Sequence, residues 1–287
     1  MAFIPEVIGL MVNNPLIYRV VLNIMAKVEF KQDLCLRVRG LKVYSNTPDR
    51  LLASFLWKTS ILESYETQLL PQLVKPGMRV ADIGANIGYY ALLMARLVGP
   101  TGEVIAFEPD PNNYRLLAKN AGHNHFDTIT AVNKAVSNYN GRAHLFINKG
   151  HRGDHRIYAG DESRSAVEIE ATTLDAYLAG NPIDVVKMDI QGAEMLAFDG
   201  MAATVARYPG LIILTEFSPQ HLVQCGTHPS EFLKALELAG FELRMIDEKR
   251  KKLRTLSREA LELRCTGTHY VNLLLSKNPV PAISGSR

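Results

Sequence analysis

The sequence predicts an α/β fold, a mostly parallel seven-stranded sheet with helices on both faces, entered through a helical N-terminal lead-in. Three features point to it. Short apolar runs rich in Val, Ile and Phe recur along the chain, segments of helical length separate them, and Gly-Pro or Asp-Pro pairs punctuate the changes. With 287 residues, 47% hydrophobic and 21% charged, there is enough apolar side chain for one large core.

Residues 1–75 form the expected lead-in. Leu16, Ile17, Val20, Val21, Ile24, Met25 and Val28 fall on one helical face, with Arg19, Asn23 and Lys27 opposite. Packing on its own domain is the plainest use of such a helix; peripheral membrane contact or a dimer contact is the alternative. Pro5, Glu6, Asn13, Asn14, Pro15 and Arg19 interrupt the apolar N-terminus well short of the roughly 20 residues of a membrane span. The N-terminus also lacks the basic start and small-residue cleavage site of a signal peptide. Polar turn residues at 45–49 lead into a second amphipathic segment, 50–73.

Residues 76–277 form the expected main domain. Arg79–Ile83 reads as a strand, 84–88 as a tight turn, and Tyr89–Val98 as a helix stopped by Gly99 and Pro100. A second strand, Glu103–Phe107, runs into a helix capped by Asp110 with Pro111 in its first position. Further strands are expected at 129–136, 184–188, 211–217, 241–246 and 269–275. Residues 142–148 and 166–172 alternate like a hairpin at the sheet edge, joined by a long polar loop. The tail, 278–287, is expected to fray.

Charge and cysteine content limit the function. Net charge is only +3, and the basic run Lys249–Lys252 follows Asp247 and Glu248 instead of interleaving with aromatics. No nucleic-acid partner is expected. Cys35, Cys225 and Cys265 lie far apart and odd in number, which argues for a reducing, cytoplasmic setting and against a disulfide framework or zinc site.

The most informative stretch is Asp82-Ile83-Gly84-Ala85-Asn86-Ile87-Gly88. A glycine turn lets a ligand approach the backbone. A dinucleotide fingerprint would place a diphosphate here, and Asp82 would repel it. The ligand should instead bring positive charge or amine donors, as S-adenosylmethionine does. Asp82 is suited to its ammonium and Asn86 to its polar end, while Glu108, ending the next strand beside Pro109, is suited to ribose hydroxyls. Asp82, Gly84, Ala85, Asn86, Gly88, Glu108 and Pro109 are thus the expected cofactor residues.

These segments resemble the FkbM-type family of S-adenosylmethionine-dependent methyltransferases. The resemblance rests on residues 77–88, on Ala106-Phe107-Glu108-Pro109, on 173–178 and on 185–194, and with Glu216 and Pro219 it spans about residues 60–246. It implies a Rossmann-like class I methyltransferase fold and O-methylation of a hydroxyl on a sugar, glycan, polyketide or other small acceptor.

In such a sheet the ligand crevice lies beyond the carboxyl ends of the strands. Asp189 is the first candidate for removing the acceptor's proton or orienting its hydroxyl, or for holding Mg2+ together with Glu216. His155, in the polar loop, is the second candidate base. Glu194 is either part of the same motif or a first-turn helix acid. Lys187, inside an apolar strand, needs a partner such as Glu194 or Asp189, or else contacts substrate. Tyr65-Glu66 also resembles the family pattern, either folding over the cofactor or packing as a helix. Two other readings are an N-methyltransferase acting on a protein or nucleic acid, and a non-catalytic cofactor-binding or membrane-associated scaffold. Asp189-Ile190-Gln191-Gly192 lacks the Pro-Pro-aromatic pattern common among enzymes that methylate amide or base nitrogen.

Overall fold

The computed structural model describes residues 33–46, 64–148, 153–159 and 164–279. The amphipathic helix expected at 16–28, the first part of the segment 50–73 and nearly all of the tail lie outside them.

The described lead-in corrects the helical expectation. Leu34–Val38 (β1) and Leu41–Ser45 (β2) form an antiparallel hairpin. Arg39 and Gly40 both have positive φ, the geometry that suits a two-residue hairpin turn. The hairpin docks on a later helix, Pro111–His123 (α3), where Asn120 Oδ1 accepts from Tyr44 N and Asn124 Oδ1 accepts from Lys42 N. Ser64–Leu73 (α1) is helical, as expected, with Pro71 in its last turn.

The main sheet has eight strands. Its parallel half comprises Arg79–Ile83 (β3), Glu103–Phe107 (β4), Ile129–Val132 (β5), Val185–Met188 (β9) and Ile212–Phe217 (β10), in spatial order β5-β4-β3-β9-β10. Val271–Ser276 (β13) then pairs antiparallel with β10, Glu242–Asp247 (β11) with β13, and Lys252–Thr255 (β12) with β11. The seven expected strands are therefore joined by an eighth, β12. It begins at Lys252, the last residue of the basic run, and lacks a clear apolar face, as suits an exposed edge.

The strand expected at 129–136 is broken. Asn133 donates through Nδ2 to the carbonyls of Glu108 and Pro109, ending β5 and turning Ala135–Val136 (β6) into a second sheet. There β6 pairs with Ser165–Thr172 (β8), which pairs in turn with Gly141–Ile147 (β7). The expected 142–172 hairpin forms, but in this separate three-stranded sheet.

Helices cover both faces of the main sheet. Tyr89–Val98 (α2), α1 and α3 bury Leu92, Met94, Leu69 and Leu116 against Val80, Val104, Val185 and Leu214. The opposite face buries Ile83, Phe107, Met188 and Phe217 beneath Leu174–Leu178 (α4), Glu194–Asp199 (α5), Ala202–Arg207 (α6) and Pro229–Leu238 (α8). Pro219–Gln224 (α7) and Arg258–Arg264 (α9) complete the helices described. Each fully buried Leu, Ile or Phe contributes about 1.5–3 kcal/mol of apolar transfer.

Candidate active site

The site grows out of the turn after β3. Gly84 N and Ala85 N both donate to the carbonyl of Phe107, at 3.0 and 2.9 Å, which ties the turn to the end of β4. Gly84 has φ +82°, and a Cβ there would stand 2.1 Å from the Asp189 carbonyl oxygen. This glycine lets the ends of β3 and β9 close together. Gly88, also at positive φ, opens α2 against the Leu117 side chain.

Asn86 has φ +50° and donates its backbone N–H to Glu108 Oε2 at 2.8 Å. Glu108 Oε1 accepts from Asp110 N at 2.9 Å and from Asn113 Nδ2 at 3.3 Å. Burial lifts the Glu108 carboxyl to about 7, against the pull of these donors. Both Glu108 oxygens are thus already engaged, so ribose hydroxyls would share this carboxylate with backbone N–H groups.

Asp82 is 2% exposed. Burial raises it to about 6; Lys187 opposes that rise and Asp189 adds to it. Its Oδ2 and the Oδ1 of Asn86 are buried acceptors without a hydrogen-bond partner. A buried acceptor left unpaired is costly, and a ligand bringing amine donors to this turn would relieve two of them. That fits the ammonium of S-adenosylmethionine.

A shallow cleft, open to solvent, runs along this rim. Gly84, Asn86, Glu108, Pro109, His155 and Asp189 line it, with apolar walls from Phe107, Val136, Leu145 and Ile157. Asp189, just past β9, keeps a side chain 34% exposed. Gln191 Nε2 donates to its Oδ1 at 2.9 Å, and Lys187 Nζ stands 3.7 Å from its Oδ2.

His155 lines the same cleft as Asp189, but its ring nitrogens face other groups. Its Nδ1 accepts from Asn148 N at 3.1 Å, so Nε2 carries the proton, 3.2 Å from Asp110 Oδ2. Against the cost of burial, the hydrogen bonds from His155, Asn113 and Asn112 hold Asp110 at about 2. His155 therefore clasps the loop to the cap of α3.

Glu216 stands next to His221, whose Nδ1 is 3.6 Å from Oε1. Arg156 reaches His221 Nε2 at 3.1 Å, Gln224 at 2.7 Å and Asp154 at 2.6 Å. Burial and then the Arg156 charge lower the His221 pKa, favouring neutral imidazole. Tyr158 O–H donates to the Gln191 carbonyl. Through Arg156 and Tyr158, residues 153–158 reach from the cap of α3 to α7. Glu194 is fully buried, accepts from Ile190 N and Gly192 N, and is raised to about 8 by burial and then by Glu216.

Among the described residues no group of three or more His, Cys, Asp or Glu side chains is arranged to hold a metal ion. Asp189 is paired with the Lys187 ammonium and Glu216 faces His221. The Mg2+ expectation gains no support.

The sequence reading missed His221 and Asn272. Asn272 lies opposite Glu216 in the β10–β13 register, and its Nδ2 donates to Glu66 Oε2. No local motif marks either residue; only strand register and the fold of the loop bring them in.

Comparison with known proteins agrees with this picture. Residues 82–243, more than half of the chain, match the model of the methyltransferase FkbM domain. Residues 11–139 match that of protein-L-isoaspartate(D-aspartate) O-methyltransferase. A 59-residue segment, 21% of the chain, is 30% identical to the protein-L-isoaspartate O-methyltransferase of Methanothrix thermoacetophila, and the match spans only 28% of that protein's length. Among solved structures, an rRNA methylase from Streptococcus thermophilus is similar, with 12% identity over 75% of this chain and 95% of that one and a TM-score of 0.45. A precorrin-6y C5,15-methyltransferase from Geobacter metallireducens is also similar, with 13% identity over 75% and 89% of the two chains and a TM-score of 0.44.

The sheet order and the glycine turn are those of the Rossmann-like, S-adenosylmethionine-dependent methyltransferase class. Within that class, the chain belongs to the FkbM methyltransferase family. Among the described residues no helix is long and apolar enough to cross a membrane.

Proposed function

We propose that this protein transfers a methyl group from S-adenosylmethionine to a neutral hydroxyl of a sugar, glycan or other small acceptor. One observation carries the choice of acceptor. Asp189 lines the cleft, and two further carboxylates are buried near it: Glu66 shares the Lys187 ammonium with Asp189, and Glu216 follows the β10 residue paired with Met188. Such a set of carboxylates repels the carboxylate of an isoaspartyl acceptor and the phosphates of RNA, and offers acceptors to hydroxyl groups.

Bound S-adenosylmethionine supplies an electrophilic methyl group. In this reading Asp82 and Asn86 receive its amino group, Glu108 its ribose, and the apolar wall of Phe107, Val136, Leu145 and Ile157 its adenine. Asp189 orients the acceptor hydroxyl and takes its proton, with Gln191 fixing one carboxylate oxygen and leaving the group partly open to the cleft. His155 and Glu216 serve elsewhere, His155 as a clasp and Glu216 as the partner of His221.

The test is Asp189→Ala in the full chain. Turnover of labelled methyl groups onto hydroxylated acceptors should fall about 10²- to 10⁴-fold, the usual worth of general-base help. Calorimetric affinity for S-adenosylmethionine should stay within about threefold, roughly half a kcal/mol. Parallel loss of both would defeat this assignment of Asp189.

A further inference from the structure

We infer that Lys187 is a positioning residue of the cofactor site: its ammonium, held by the lead-in helix and the β9 end, keeps buried Asp82 an anion able to receive the cofactor's amino group. This rests on the reading that Asp82 binds that group.

Register sets the geometry. Lys187 is the strand partner of Asp82 on β3 and of apolar Leu214 on β10. Directly paired residues of adjacent strands project to the same face, so the ammonium and the carboxylate are cross-strand neighbours. Three further groups surround the ammonium. Glu66 Oε1 of α1 is 3.9 Å from Nζ, Asp189 Oδ2 is 3.7 Å away, and the Tyr90 ring of α2 lies beneath at 4.2 Å. Glu66 is anchored in turn by Asn272 of β13, and the first N–H groups of α1 are capped by Glu248 at 2.8–3.1 Å.

Asp82 has a strong need for such a neighbour. A buried carboxylate reverts to the neutral acid unless charge or hydrogen bonds hold it ionised. The backbone N–H of Ala91 helps, Asp189 opposes, and Oδ2 has no hydrogen-bond partner. With burial already lifting the carboxyl to about 6, loss of the facing cation moves its titration into the neutral range. A neutral acid would bind an ammonium much more weakly, because charge-assisted hydrogen bonds are roughly twice as strong as neutral ones.

The test measures S-adenosylmethionine affinity by calorimetry from pH 5.5 to 8.5 for wild type, Lys187→Met, Lys187→Arg and Lys187→Gln, all as full chains. The ratio of variant to wild-type Kd cancels titration of the ligand's own amine. For Lys187→Met the ratio should be about tenfold at pH 5.5 and fall to within about 1.5-fold at pH 8.5, as a one-unit rise in the Asp82 pKa requires. Lys187→Arg should stay near unity throughout, and Lys187→Gln, which also removes the charge, should follow Lys187→Met. A Lys187→Met ratio that is flat across pH, whether one or ten, means packing alone and overturns the inference. So does a flat ratio in Lys187→Gln, a readout that stands even if Lys187→Met fails to fold. Wild-type chain that binds at no pH would instead overturn the cofactor reading, and this inference with it.

Discussion

The two halves of the rim are built differently. On the β3–β4 side, Asp82, Gly84, Asn86 and Glu108 come from one stretch of chain, and their geometry is set largely by backbone hydrogen bonds to Phe107 and Glu108. On the β9–β10 side, Glu66, Arg156, Asp189, His221 and Asn272 are drawn from separate elements, with the Glu66–Asn272 contact spanning 206 positions. The first half places fixed donors and acceptors for a ligand of constant shape. The second depends on long-range docking of a loop and a lead-in helix, the kind of construction that varies on a shared scaffold.

The strongest way to break this contrast is at the contact joining the halves. Gly84→Ala drives a Cβ to 2.1 Å from the Asp189 carbonyl at a φ that L-residues avoid, so both strand ends must shift. A loss of about 3 kcal/mol or more in urea unfolding is expected, together with loss of cofactor binding. Gly88→Ala meets only the flexible end of Leu117 and should cost about 1–2 kcal/mol. Equal costs at the two positions would mean that the glycines serve the turn alone and that the halves are not locked together.

Asp82→Asn tests the first half by itself. It keeps the shape and removes the charge, so affinity for S-adenosylmethionine should fall about 10- to 150-fold, the value of a hydrogen bond to a charged group. Stability at neutral pH should hold or rise, because a buried carboxylate is replaced by a neutral amide. An affinity loss below about threefold would return Asp82 to a purely structural role.

The same contrast explains what could be read from sequence. The glycine turn, the two strand-end acids and the capped helix after Glu108 are local patterns, and each forms where expected. The lead-in hairpin carries a period-2 alternation, Leu36-Arg37-Val38 and Leu41-Lys42-Val43, but it is short, sits between two longer amphipathic segments that read as helix, and turns at Arg39-Gly40 without the Asn-Gly signal. The break at Asn133 was missed because the side chain acts by reaching back to Glu108 and Pro109. In the candidate site, Asp189 and Lys187 stood within a recognisable motif. Asn272 and His221 did not, because only register and loop docking give them neighbours.

Glu194 lies under the second half and is held there at an energetic cost to its charged form. Burial, followed by Glu216, raises its folded-state carboxyl to about 8, whereas in the unfolded chain it titrates near 4.5. Above pH 4.5 the unfolded chain has released a proton that the folded chain retains. Folding therefore takes up a proton, and stability contributed by this group falls as pH rises from about 4.5 to about 8. Glu194→Gln keeps an oxygen for the N–H groups of Ile190 and Gly192 and removes the titration. Its unfolding free energy should exceed that of the wild type by about 1–3 kcal/mol at pH 8 and converge with it near pH 5. If the two curves run parallel across that range, Glu194 is already ionised in the fold. The Glu194–Glu216 acid pair would then carry full negative charge, and the β9–β10 side of the site would be more strongly anionic.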